Sequence, residues 1–250
     1  MEELIVIKIG GAAGDCLTES FFKKIHEWRT EGKKIIIIHG GGHYISEMMS
    51  RLNVPVCHKA GLRVTTSEVL KITQMVLIGQ VQPLITSRFQ QQNLSAVGLN
   101  ASSNGIIVGD YLDKQTLGHV GQVTEVRTDL LIDLLEKGYI PIIAPLGMTK
   151  SGKWLNINAD DTACHVASAL KAEALYLLTD VAGIMKDSCY LEEVSLSEID
   201  ALIDEQVVTG GMIPKVKSAE AAIHAGVNGI HITDDILKKG TVIQGKKVLV

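Results

Sequence analysis

The chain predicts an α/β fold around a central, mostly parallel sheet, with β-hairpins attached. Three observations carry this: near-continuous apolar runs recur along the chain, stretches with helical apolar spacing separate them, and glycine clusters follow the first two runs. Residues 4–9 form the first run, rich in β-branched side chains, and read as a buried parallel strand. Residues 19–31 place Phe22, Ile25 and Trp28 on one helical face, and residues 34–38 supply the next strand. Residues 67–91 read as a helix that is apolar over much of its circumference, through Val69, Leu70, Ile72, Met75, Val76, Leu77 and Ile78. Such a helix must be covered on more than one side, as a central core helix or as a subunit interface. Pro83 should bend or interrupt it.

The alternation then resumes. Thr128 is placed to cap a helix running to Lys137, Gly138 to end it in a left-handed conformation, and residues 140–144 to form a strand. A helix over 159–170, a strand over 174–178, a helix over 215–225 and a strand over 229–233 complete the pattern. Two segments break the rhythm. Residues 99–126 contain short β-prone pieces with Ser103-Asn104-Gly105 as a turn, and residues 147–158 read as a hairpin around Ser151-Gly152. Both are expected to decorate one edge or cover a site. No repeat, low-complexity tract or linker divides the chain, so two lobes sharing one sheet are expected, 1–172 and 173–250.

Composition narrows the function classes. With 250 residues and 46% hydrophobic content the chain can bury a substantial core, and its net charge of −4 argues against a general nucleic-acid binder. No apolar run approaches the ~20 residues needed to span a bilayer, and the N-terminal stretch lacks the layout of a signal peptide, so a cytoplasmic protein is expected. The four cysteines are scattered without a CxxC pair, which suggests buried thiols rather than a zinc knuckle or disulfide framework. His39 and His43 stand four apart, but three glycines separate them and no third ligand is evident, so no metal site is assigned.

Several residues stand where chemistry is expected. Lys8 ends a buried strand before Gly10 and Gly11, and a buried ammonium there needs an anionic partner. Gly40-Gly41-Gly42 follows the second strand and precedes a helix near His43, a junction where free helix amides and the helix dipole favour an anion. Open α/β sheets bind ligands at these carboxyl ends. Residues 147–153 nearly match a GxxxxGK phosphate loop, but Trp154 stands where a hydroxyl should hold magnesium, and no GxGxxG occurs. In Asn156-Ile157-Asn158-Ala159-Asp160-Asp161 one residue is needed as a helix cap, which leaves the others available to a site. Lys215, after Gly210-Gly211-Met212-Ile213-Pro214, lies at the positive end of a helix, an unfavourable place for a cation unless an anion binds there.

Taken with Gly61-Leu62-Arg63-Val64-Thr65 and Leu178-Thr179-Asp180-Val181-Ala182-Gly183, these blocks resemble the amino acid kinase family from about Leu4 to the C-terminus. The resemblance implies a three-layer sandwich, with an N-terminal lobe for an amino-acid substrate and a C-terminal lobe for ATP. The Gly-Leu-Arg-Val-Thr and Asn-x-Asn-Ala-Asp blocks point to N-acetyl-L-glutamate as acceptor, phosphorylated on its side-chain carboxylate in arginine biosynthesis. By the same resemblance, Lys8 and Lys215 contact the transferred group and Asp160 orients both lysines. Gly11, Gly41 and Gly42 offer amides to the phosphoryl and substrate oxygens, Arg63 pairs with the substrate α-carboxylate, and Asn156 hydrogen-bonds its acetylamino end. Gly10, Gly11, Thr179, Asp180, Gly183 and Met212 bind the nucleotide, whose Mg2+ is held mainly by the phosphates. Gly210 stands where some relatives carry an acid, and Ala12-Ala13 replaces bulkier residues. The short stretch before the first strand implies an arginine-insensitive homodimer formed through the 67–91 helix. Rival expectations are a kinase for carrier-bound aminoadipate or aspartate, and a non-catalytic sensor of the same fold. The sensor reading predicts loss of a charged group at the transfer site, whereas Lys8, Asp160 and Lys215 are all present.

Overall fold

The computed structural model describes residues 3–10 and 17–245. Its main sheet has eight strands in the order Glu193–Ser195, Thr241–Gln244, Gly229–Thr233, Ala174–Leu178, Leu4–Ile9, Lys34–His39, Ile140–Ile143 and Ala96–Leu99. The six strands from Gly229–Thr233 to Ala96–Leu99 are parallel, and only Thr241–Gln244 and Glu193–Ser195 at one edge run the other way. Helices cover both faces, making three layers, so the α/β expectation holds.

Side-chain alternation along Leu4–Ile9 explains both the layers and the position of Lys8. Leu4 and Val6 belong to one core, shared with residues of helices Ala159–Ala169 and Met212–His224. Ile5, Ile7 and Ile9 belong to the other, shared with helices Glu19–Thr30 and Ser67–Gln91. A strand sandwiched this way is buried on both faces, which is why it reads as an apolar run broken only by Lys8. Each fully buried isoleucine contributes about 1.5–3 kcal/mol relative to exposure. By the same parity Lys8 faces the first core, towards the helices that carry Asp160 and Lys215.

Three elements differ from expectation, and the interruption expected at Pro83 is present. The pieces in 99–126 and 147–158 form one closed four-stranded barrel of Ile107–Tyr111, Val120–Val126, Leu146–Met148 and Trp154–Ile157, rather than separate hairpins on an edge. Trp154–Ile157 pairs with Leu146–Met148 as predicted, but also with Val120–Val126, across an interval that local patterning does not reveal. The barrel is narrow: a Cβ on Gly121 would sit 2.7 Å from Leu155 Cβ, and one on Gly147 would sit 2.4 Å from Ile157 Cδ1. Thr128 precedes helix Asp129–Glu136 without accepting a side-chain cap bond, its backbone being already helical at φ −90° and ψ −18°. The last long helix begins at Met212, not Lys215, because Pro214 is tolerated anywhere in a first turn whose amides have no intrahelical partner. In Ser67–Gln91 the interruption before Pro83 is a π-helical turn, Leu77–Val81. That wider turn contains Gly79, whose carbonyl a regular helix would press against the proline ring.

Ser67–Gln91 is long and apolar enough by composition to cross a membrane, yet half of its most apolar stretch is buried inside the protein. Ile72, Val76, Leu77, Val81, Ile85 and Phe89 pack in the second core, while Met75 is 58% exposed and Leu84 37%.

Candidate active site

The site forms where the parallel strands end. Lys8 is the penultimate residue of its strand and is nearly buried. Asn158 caps helix Ala159–Ala169 by accepting from the Asp160 and Asp161 amides, at 2.8 and 3.2 Å, and so sets Asp160 in the first turn. Met212–His224 packs against this helix and brings Lys215 in from the other side. The Asp160 carboxylate lies 2.9 Å from Lys8 Nζ through Oδ1 and 2.6 Å from Lys215 Nζ through Oδ2. Side-chain exposures of 11%, 16% and 8% for Lys8, Asp160 and Lys215 place the cluster largely out of water.

Burial works against the charge on Asp160, but the attraction of Lys8 and Lys215 outweighs it and holds its carboxyl below the usual range. Lys215 is pulled below the ordinary lysine value, first by burial and then by Lys8, with Asp160 opposing. Two ammoniums around one carboxylate leave an excess of positive charge, and that excess suits a polyanion arriving between them.

A cavity of about 270 Å³ opens beside this cluster, lined among others by Lys8, Gly40, Gly41, Gly42, Arg63, Asn156 and Asp160. Gly41 precedes helix Gly42–Arg51, whose N-terminus has no side-chain cap bond, so first-turn amides stay available. A Cβ on Gly41 would meet Leu77 Cδ2 at 2.4 Å, while one on Gly42 would meet nothing within 4 Å. Glycine at 41 thus lets the π-helical turn approach, and glycine at 42 leaves room for a ligand. Arg63 sits on the small hairpin His58–Lys59 and Leu62–Arg63. Its guanidinium donates to Ser46 Oγ at 2.8 Å and to the Gly42 carbonyl at 3.1 Å. Burial lowers its pKa from the ordinary arginine value.

A second cavity, of about 230 Å³, lies on the Lys215 side and is bounded by Leu112, Gln122, Asp161, Pro214 and Ser218. Asn158 and Asp160 line both cavities, so the charged cluster stands at their junction. Thr179, Asp180, Gly183 and Met212 line neither. Thr179 donates to Asp180 Oδ1 at 3.0 Å, just beyond strand Ala174–Leu178, and Gly183 packs so closely on Thr241 that a Cβ would lie 2.6 Å from its hydroxyl. Met212 opens its helix half-buried. Gly10 packs against the Leu178 carbonyl and the Gly40 backbone beside Lys8. Gly11 and Ala12-Ala13 lie outside the described residues.

The structure also brings in residues that sequence reasoning did not single out. His58, opposite Arg63 on the hairpin, lines the first cavity, and Gln122 and Ser218 line the second. No periodicity or motif marks these positions. His39 is fully buried with Nδ1 2.8 Å from the Gly40 carbonyl, and burial lowers its pKa to about 4. His43 is exposed on the following helix. Among the described residues no group of three or more His, Cys, Asp and Glu side chains is arranged to hold a metal.

An open parallel sheet with two lysines converging on a carboxylate, beside capless helix amides and an arginine, defines a phosphotransferase of the α/β class. The chain belongs to the amino acid kinase family, whose model matches residues 3–234. It is 52% identical over 246 residues to an acetylglutamate kinase of Listeria monocytogenes, with 98% of each chain covered. An acetylglutamate kinase of Leuconostoc citreum is 45% identical, with 97% of this chain and 99% of that one covered. Among solved structures, smu.665 from Streptococcus mutans superposes with a TM-score of 0.92 at 39% identity, covering 98% of this chain and 99% of the other. Carbamate kinase from Giardia lamblia bound to AMP-PNP, at 20% identity and a TM-score of 0.70 over 98% of this chain and 99% of that one, shares the fold.

Proposed function

We propose that this protein transfers the γ-phosphoryl group of ATP to the side-chain carboxylate of N-acetyl-L-glutamate, giving N-acetylglutamyl 5-phosphate and ADP in arginine biosynthesis. The observation that carries the chemistry is the buried Lys8–Asp160–Lys215 cluster at the junction of the two cavities. The choice of acceptor is supported by the acetylglutamate kinases that match nearly the whole chain.

An ionised carboxylate is already a nucleophile, so the reaction needs no general base; it needs alignment and charge. Asp160 holds the Lys8 and Lys215 ammoniums pointing at one place, where they neutralise the equatorial oxygens of a loose phosphoryl transition state. Amides at Gly41 and Gly42 stabilise the same charge without reorganising, and the family resemblance assigns Gly11 a matching role. Arg63 forms a fork-like pair with the α-carboxylate and Asn156 bonds the acetylamino group, so the distal carboxylate is delivered to the lysines. Thr179, Asp180, Gly183 and Met212 hold the nucleotide. With Asp160 engaged by two cations, a Mg2+ ion would be held mainly by the nucleotide phosphates, and it would supply further neutralisation of the transferring group. The product is an acyl phosphate, which makes exclusion of water by the Arg63 hairpin and the barrel important.

On this reading residues 1–172 bind the acceptor and residues 173–250 bind ATP, in the cytoplasm where ATP is supplied. The exposed apolar side chains of Met75 and Leu84, on an apolar helix whose other face is buried in the core, favour a homodimer joined through Ser67–Gln91. The test is an ADP-release assay with N-acetylglutamate, glutamate, aspartate and a carrier-bound aminoadipate. N-acetylglutamate is expected to be preferred by a wide margin in kcat/KM. Equal use of glutamate or aspartate removes the substrate assignment.

A further inference from the structure

We propose that Thr65 is a positioning residue for acceptor recognition, a single hydroxyl that joins Arg63 to Asn156 and decides which end of the Asn156 amide faces the cavity. The inference rests on the acceptor reading above. Thr65 is fully buried. Its hydroxyl donates to the Arg63 carbonyl at 2.8 Å, and Thr65 Oγ1 in turn accepts from Asn156 Nδ2 at 3.0 Å. A hydroxyl has one proton. With that proton on Arg63, it offers Asn156 only a lone pair, so Asn156 must turn its NH₂ to Thr65 and its carbonyl oxygen into the cavity.

Thr65 is itself held rigidly. Its amide donates to the Leu117 carbonyl at 2.9 Å, and its carbonyl accepts from the His119 amide at 2.7 Å. The His119 carbonyl in turn accepts from the Asn156 amide at 2.9 Å, closing a loop between hairpin and barrel. Between Leu117 and His119, Gly118 has φ 70°, and a Cβ there would sit 2.3 Å from the Thr65 carbonyl oxygen, so only glycine permits this approach. Arg63 comes from a two-stranded hairpin and Asn156 from a barrel strand. Thr65 fixes the distance between the group that binds the α-carboxylate and the group that reads its neighbour. An oxygen presented by Asn156 accepts from an N–H donor, which selects an acceptor substrate carrying an amide N–H beside the carboxylate.

The test compares wild type, Thr65→Val, which keeps the shape, and Thr65→Ser, which keeps the hydroxyl. Substrates are N-acetylglutamate and 2-acetoxyglutarate, the ester analogue in which oxygen replaces the N–H. In Thr65→Val the KM for N-acetylglutamate is expected to rise about tenfold, with kcat and the KM for ATP changed by less than about threefold. The preference for N-acetylglutamate over the ester should shrink about tenfold. Thr65→Ser should restore both. An unchanged KM or an unchanged preference in Thr65→Val overturns the proposal, as does a serine variant that behaves like the valine one. A second readout needs no turnover: the Asn156 side-chain NH₂ resonances, assigned by comparison with Asn156→Asp, should shift in Thr65→Val and return in Thr65→Ser. If wild type fails to use N-acetylglutamate, the substrate reading falls, while these resonances still decide the bond. Resonances that do not move refute it.

Discussion

Asp160→Asn removes one charge from between two buried cations and keeps the shape. In the wild type both ammoniums contact this carboxylate, at 2.9 and 2.6 Å, and the three side chains are only 8–16% exposed. Breaking a buried pair by removing one partner costs about 3–5 kcal/mol; the residual exposure here and the hydrogen bond an asparagine can still accept favour the lower end, about 3 kcal/mol. The loss has a pH signature. Burial and Lys8 already lower the Lys215 pKa, and Asp160 is what opposes them. In the variant Lys215 should therefore lose its proton at lower pH than in the unfolded chain, so the unfolded state binds more protons between the folded value and about 10.4, and stability rises with pH through that window. Urea unfolding of variant and wild type from pH 6 to 9.5 reads both effects. A deficit of about 3 kcal/mol near pH 7 that narrows towards pH 9.5 is expected, with kcat down about a hundredfold or more as the lysines lose alignment. A variant as stable as wild type at every pH, with unchanged kcat, refutes the reasoning.

Lys8→Ala and Lys215→Ala should each lower kcat by about three orders of magnitude or more in the ADP-release assay while circular dichroism shows the fold retained. Arg63→Lys keeps the charge but loses the fork, so KM for N-acetylglutamate should rise about tenfold with little change in the KM for ATP. Gly41→Ala puts a Cβ 2.4 Å from Leu77 Cδ2 in the buried π-helical turn, and should cost about 1–3 kcal/mol in denaturant unfolding along with activity. Sedimentation should give a dimer for wild type and a monomer for Met75→Arg combined with Leu84→Arg; a monomeric wild type removes the interface. In acid, the depressed Asp160 pKa means its contribution is present above about pH 3.9 and is lost as pH falls through its folded value, an effect absent from Asp160→Asn.

How much of this was legible in the sequence depended on the range of the interaction. The strand Leu4–Ile9 and the helix Glu19–Thr30 were legible because burial on both faces, or on one, writes its period directly into consecutive residues. Lys8 was legible as an anomaly, a cation at the end of such a strand. Its partners were not: Asp160 and Lys215 stand in the first turns of two different helices, and spacing alone says nothing about their meeting. Their association came from family resemblance. The barrel was half legible, since the 147–158 hairpin is local but the pairing of Asn156 with Val120 is not. Thr65 lay inside a recognised block without a role, because its two side-chain bonds mean something only once Arg63 and Asn156 are side by side. Thr128 misled because a good capping residue had already taken helical dihedrals.

The reaction predicted for this site phosphorylates a carboxylate, the side-chain one of N-acetylglutamate. An acyl phosphate reacts with hydroxylamine to a hydroxamate, which gives a coloured complex with ferric ion, so trapping alongside ADP measurement tests both parts together. With ATP, Mg2+ and N-acetylglutamate, hydroxamate should accumulate in step with ADP, and should vanish when glutamate replaces the acetylated substrate or when Lys8 or Lys215 is alanine. ADP released without hydroxamate rules out carboxylate phosphorylation, and hydroxamate formed equally well from glutamate rules out N-acetylglutamate as the preferred acceptor.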